Sequence, residues 1–141
     1  MMCVDASLVL AFLLHDEEFT AHATALLAAW REAQEELIAP ALLPFEVLSG
    51  LRLAVYRSRI SRDEGDEQCV TFRAMPIELR RPDRLFDRTW DIGKRLNPPR
   101  LYDASYLALA DIEDCEVWTA DSRFINLVAG RSTRLKWVGE A

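Results

Sequence analysis

Five apolar runs, MCV (residues 2–4), ELIAP (36–40), IEL (77–79), EVWTA (116–120) and RLKWV (134–138), are too short for helices and too far apart for tight hairpins. Between them lie segments with apolar residues at spacings of three and four, the signature of amphipathic helices. Parallel strands need a crossover of a dozen or more residues, and a helix is the usual one. Strand and helix patterns in alternation therefore predict an α/β fold, three layers thick, with a mainly parallel central sheet between helices. The helices expected are SLVLAFLL, capped by Asp5 or Ser7, and residues 16–36, with Asp16, Glu17 and Glu18 in the first turn and Phe19, Ala23, Leu26, Leu27 and Trp30 as the apolar stripe. LLPFEVLSGLRLAVYRSR follows, with Pro44 in its first turn, then the more polar SRDEGDEQCVTFRAM. DRLFDRTWDIGKRL has Asp83 as its expected cap; YDASYLALADIED and DSRFINLVAGR, closed by Gly130, complete the set. No linker interrupts the pattern, and 141 residues suit one domain, 1–141.

Composition removes several function classes. Half the residues are hydrophobic, too many for a disordered chain. The longest apolar stretch near the start, ASLVLAFLL, is far shorter than the ~20 residues a membrane span requires. Asp5 also stands where a secretion signal carries basic residues, so a cytoplasmic location is expected, with no membrane partner. Cys3, Cys69 and Cys115 form no C-x-x-C pair and read as reduced, mostly buried thiols. His15 and His22 lack the spacing of a zinc helix and read as surface residues. The net charge of −6 is unusual for a nucleic-acid binder, but the arginines are clustered, at 52, 57, 59 and 62, then at 80, 81, 84 and 88. They form either a basic rim or solvated helix faces with internal ion pairs.

Carboxylates recur at the ends of these segments. Asp5 follows MCV, Asp121 follows EVWTA, and Asp103 opens the alanine-rich helix. Aspartate is a good helix cap, which accounts for each of them singly. In an open parallel sheet, however, the carboxyl ends of the strands line the ligand crevice, so caps and ligands share one address. Glu46, inside LLPFEVLSGL, has no capping role; it faces solvent or is held inward by a partner. Acids gathered at one edge repel one another unless a cation intervenes. Without His or Cys the natural cation is hard and divalent, Mg²⁺ or Mn²⁺.

The same residues resemble the motifs of the PIN-domain ribonucleases, most closely the VapC-type toxins of bacterial toxin–antitoxin modules. VDAS is similar to the opening motif of that family, with Asp5 as first acid and Ser7 as the small hydroxyl residue; FEVLSGL is similar to the second, giving Glu46; YDASYLALA to the third, giving Asp103; and WTADSRF to the fourth, giving Thr119 and Asp121. The resemblance runs from residue 2 to about 124, with RLKWV placed like the last strand. It implies a PIN-like sheet, Mg²⁺ or Mn²⁺ held by Asp5, Glu46, Asp103 and Asp121, and Ser7 and Thr119 steadying carboxylates or waters. It also implies endonucleolytic RNA cleavage, homodimerisation and inhibition by a small antitoxin protein. An apolar surplus at Phe12, Leu13, Leu14, Leu51, Val55 and Tyr56 is expected to build part of the dimer. The alternative within the family is a catalytically idle PIN module that binds RNA or a partner. A haloacid-dehalogenase-like phosphatase would need an Asp where Ser7 stands, and a receiver domain would need a late strand-end Lys.

Overall fold

The computed structural model describes residues Met1–Ala141. Strands β1 (Met2–Val4), β2 (Leu37–Pro40), β3 (Ile77–Arg80), β4 (Glu116–Thr119) and β5 (Leu135–Trp137) form one five-stranded sheet in the order β3-β2-β1-β4-β5. Every neighbouring pair is parallel, so the sheet is wholly rather than mainly parallel. Helices α1 (Ala6–Leu14) and α2 (Thr20–Glu32) link β1 to β2; α3 (Leu43–Tyr56) and α4 (Arg62–Ala74) link β2 to β3. Helices α5 (Leu85–Leu96) and α6 (Tyr102–Glu113) carry the chain back to β4, and α7 (Ser122–Val128) leads to β5. Helices α1, α3 and α4 pack on one another with α2 on α1, while α5 packs on α6, which lies across β1, β2 and β4. Parallel crossovers are right-handed, so the outward path β1–β2–β3 and the return to β4 place α1–α4 and α5–α6 on opposite faces. The three-layer α/β/α arrangement expected from the alternating pattern is present.

Burial follows position in the sheet. β2 is buried along its whole length, whereas edge strand β3 is partly exposed and carries Glu78 and Arg80. Helix α1 is apolar almost all round because it lies beneath α2, α3 and α4. This corrects the expected dimer surface: Leu13, Leu14 and Leu51 belong to the core, and of that group only Tyr56, 75% exposed, is fully on the surface. The apolar surplus covers a helix that has no polar face. Gly50 lies where α3 crosses α1, and a Cβ there would run into the Leu10 side chain.

Several local expectations also change. His15 adopts a left-handed conformation (φ 62°) and ends α1, and α2 begins only at Thr20. Asp16 and Glu17 pair with Arg59 instead of opening α2. Asp83 does not cap α5, whose N-cap is Arg84 without a side-chain bond. Of the clustered arginines, Arg80 pairs with Glu36, Glu78 and Glu113, and Arg88 with Asp111, as the ion-pair reading expects, while Arg52 lies over the Tyr56 ring. All three cysteines are free, with Cys3 and Cys115 buried.

Candidate active site

The order β3-β2-β1-β4-β5 reverses direction between β1 and β4: from β1 the chain moves toward β2, and from β4 toward β5. A crevice at such a switch point lies outside the carboxyl ends of the two strands. Asp5 directly follows β1, and Asp121 stands just beyond Thr119, the last residue of β4. Val4 is in register with Trp118, and the Asp5 amide bonds the Trp118 carbonyl, so both strand ends arrive together. The first turns of α3 and α6 bring Glu46 and Asp103 to this edge.

Asp5 is 4% exposed and caps α1. Its Oδ1 accepts from Ser7 Oγ at 2.7 Å and from the Leu8 amide at 3.0 Å; its Oδ2 accepts from Thr119 Oγ1 at 2.5 Å. Both hydroxyls also accept from the loop after β4, Ser7 from the Ala120 amide at 2.8 Å and Thr119 from the Asp121 amide at 3.0 Å. Ser7 and Thr119 thus spend their protons on Asp5 and their lone pairs on the neighbouring loop, locking strand β4 to the start of α1. Burial nevertheless outweighs these three donors and, with a smaller push from Asp103, raises the Asp5 pKa from 3.8 to about 7.

The other acids are less enclosed. Half-buried Glu46 accepts a bond from Tyr106 Oη at 2.6 Å. Its pKa is raised, first by burial and further by Asp103, against the lowering effect of Tyr106. Asp103 does not cap α6; Leu101 is the N-cap and makes no side-chain capping bond. Burial and the nearby Asp121 raise the Asp103 pKa, while Arg123 lowers it. Asp121 does cap, accepting from the Arg123 amide at 2.9 Å, and the Arg123 guanidinium folds back on both of its oxygens at 3.2 Å. Repulsion therefore links the acids through Asp103, which feels Asp121 and raises both Asp5 and Glu46.

As the side chains stand, no three carboxylate, imidazole or thiol groups lie close enough together to hold a metal ion. The donor chemistry still fits a hard divalent cation, since the set is all oxygen and its members oppose one another's ionisation. The two partners that hold carboxylates here, Tyr106 on Glu46 and Arg123 on Asp121, were not singled out from the sequence. Tyr106 could have been found from its place one helical turn after Asp103, on the same face. Arg123 carried no such signal beyond its nearness to Asp121. His15 and His22 are both exposed, as expected of surface residues.

The PIN-domain family model matches residues 2–129. A VapC ribonuclease of Mycobacterium bovis and ribonuclease VapC9 of Mycobacterium tuberculosis are each 38% identical to the chain over 123 residues, 87% of either sequence. The crystal structure of M. tuberculosis VapC20, described as a sarcin–ricin loop cleaving toxin, superposes with a TM-score of 0.66 at 15% identity. That superposition covers 92% of this chain and 95% of the other, which supports the fold. With its motifs, its parallel sheet and its relatives in agreement, the chain belongs to the PIN-domain family, among the VapC ribonucleases.

Proposed function

We propose that this VapC-type ribonuclease hydrolyses RNA internally at the β1/β4 switch point, with Mg²⁺ or Mn²⁺, and serves in the cytoplasm as the toxin of a toxin–antitoxin pair. The observation that carries this reading is the electrostatic linkage of Asp5, Glu46, Asp103 and Asp121 at one sheet edge. These four would hold the cation, which when bound lowers the pKa of water and offsets charge on the phosphate oxygens. Asp5, fixed by Ser7, Leu8 and Thr119, is the rigid member of the set. Asp103, in the first turn of a longer helix, closes toward it by side-chain rotation, and Glu46 joins the set while bonded to Tyr106. Arg123, with its side chain 90% exposed, leaves Asp121 at little cost and offers a phosphate of the RNA a cation.

An apolar cleft of about 570 Å³ between α3, α4 and β3, lined by Leu43, Leu48, Val70, Phe72 and Met75, suits an amphipathic segment of the antitoxin. Phe86 and Trp90, four residues apart on α5 and largely exposed, suit the homodimer contact. A catalytically idle module is the second reading; the observation favouring it is that no three acids stand at chelating distance.

Cleavage of a structured RNA in Mg²⁺ or Mn²⁺ separates the two. Glu46→Gln and Asp103→Asn, neither of which removes a helix cap, are expected to fold and to lose about 10²–10³ in rate. Parental rates in both variants would remove the nuclease site from these residues.

A further inference from the structure

We propose that Tyr106 is the positioning residue for Glu46, holding that carboxylate toward Asp5 and Asp103 so that it can serve as a cation ligand; this rests on the metal-site reading above. Tyr106 is 1% exposed and is among the largest fully buried side chains of the chain. It lies on α6 three residues after Asp103, so both side chains leave the same face of that helix. Its ring is fixed in the core, and only its hydroxyl reaches the sheet edge. There it donates to Glu46 Oε1 at 2.6 Å, a length typical of a hydroxyl bonded to a charged carboxylate.

Glu46 has no other anchor. It sits in the first turn of α3, where the N-cap, Leu42, makes no side-chain bond. A glutamate at such a site is otherwise free to swing into solvent, away from the other acids. The bond to Tyr106 crosses from the α5–α6 layer to the α1–α4 layer and ties Glu46 to the helix that carries Asp103. It also leaves coordination capacity. A carboxylate has about four lone-pair sites, and Tyr106 takes one, so Oε2 and the second lone pair of Oε1 stay available. A purely packing role for Tyr106 would leave the cation affinity of the cluster untouched, whereas a positioning role acts on it through Glu46 alone.

The test is a double-mutant cycle on Mn²⁺ affinity, measured by titration calorimetry on the full chain for wild type, Tyr106→Phe, Glu46→Gln and the double variant. Tyr106→Phe keeps the ring and removes only the hydroxyl, and far-UV circular dichroism checks its fold. It is expected to weaken Mn²⁺ binding about 10–100-fold, the usual loss when the partner of a metal ligand is removed. In the Glu46→Gln background the same change is expected to alter affinity less than about twofold, because its route of action is gone. If Tyr106→Phe binds Mn²⁺ like wild type while Glu46→Gln does not, the positioning role is wrong and the metal site stands. Additive losses would also overturn it, since Tyr106 would then act on another group. If Glu46→Gln matches wild type, or wild type does not bind, the metal-site reading itself fails. In Mn²⁺-loaded crystals of the wild type, Tyr106 Oη should stay within hydrogen-bonding distance of Glu46; its departure would equally overturn the proposal.

Discussion

Asp5→Asn should make the protein more stable at neutral pH while destroying its site. The native carboxyl has a pKa of about 7 against an ordinary 3.8, so about three pH units separate folded from unfolded titration. At ~1.36 kcal/mol per unit, keeping Asp5 charged at pH 8 costs the fold on the order of 4 kcal/mol. The direction follows from the raised pKa: the native state holds this proton more tightly than the unfolded chain, so the contribution of Asp5 to stability is greatest below pH 4 and falls as pH rises from about 4 to about 7. Asparagine carries no charge, and its carbonyl can still accept from Leu8 and Ser7. Its amide faces Thr119 Oγ1, whose own proton can turn to Ser7 Oγ, 3.1 Å away. The network therefore stays satisfied, and asparagine caps helices as well as aspartate. Urea denaturation in EDTA, followed by circular dichroism from pH 4.5 to 8.5, should show Asp5→Asn more stable by roughly 2–4 kcal/mol at pH 8. The advantage should shrink to about 1 kcal/mol at the acid end, where Asp5 of the native wild type is protonated. Millimolar Mn²⁺ should raise the stability of the wild type and leave the variant unmoved. A difference that does not change with pH, or a variant less stable throughout, would show that the cap and hydrogen bonds matter more than the buried charge.

Thr119→Val should leave Asp5 Oδ2 and the Asp121 amide without their shared partner, costing about 1–3 kcal/mol in thermal denaturation and weakening Mn²⁺ binding. A Thr119→Ser variant should recover most of both. Arg123→Ala should separate two affinities: Mn²⁺ binds several-fold tighter once the guanidinium no longer competes for Asp121, while RNA binds more weakly. Calorimetry and filter binding check the pair, and parallel changes in the two would contradict the assignment.

The strands were legible because each is a short apolar run bounded by an acid, a proline or a polar segment, IEL included. Their order was not. Nothing local in MCV or EVWTA says that β1 and β4 are neighbours, and that adjacency makes the edge beyond them a switch point. Asp5 and Asp121 both cap helices and both belong to the proposed metal site, so residue type alone could not separate the roles. At Asp103 the capping expectation fails, because Leu101 occupies the cap position and leaves the aspartate inside the first turn. The supposed dimer residues Leu13, Leu14 and Leu51 went astray for a packing reason: a helix covered on several sides needs apolar residues all round, which sequence alone cannot tell from surplus. Tyr106 was hidden in plain view within YDASYLALA, where an aromatic at helical spacing reads as core. It is core, except for one oxygen.

The acids at the β1/β4 edge are proposed to close on one divalent cation. Anomalous diffraction from crystals soaked in Mn²⁺ tests it most directly. An anomalous peak bounded by Asp5, Glu46, Asp103 and Asp121 is expected, with Arg123 swung away from Asp121, and no such peak in Asp103→Asn crystals soaked alike. A peak elsewhere on the surface, or none at this edge at Mn²⁺ concentrations that support RNA cleavage, would contradict it.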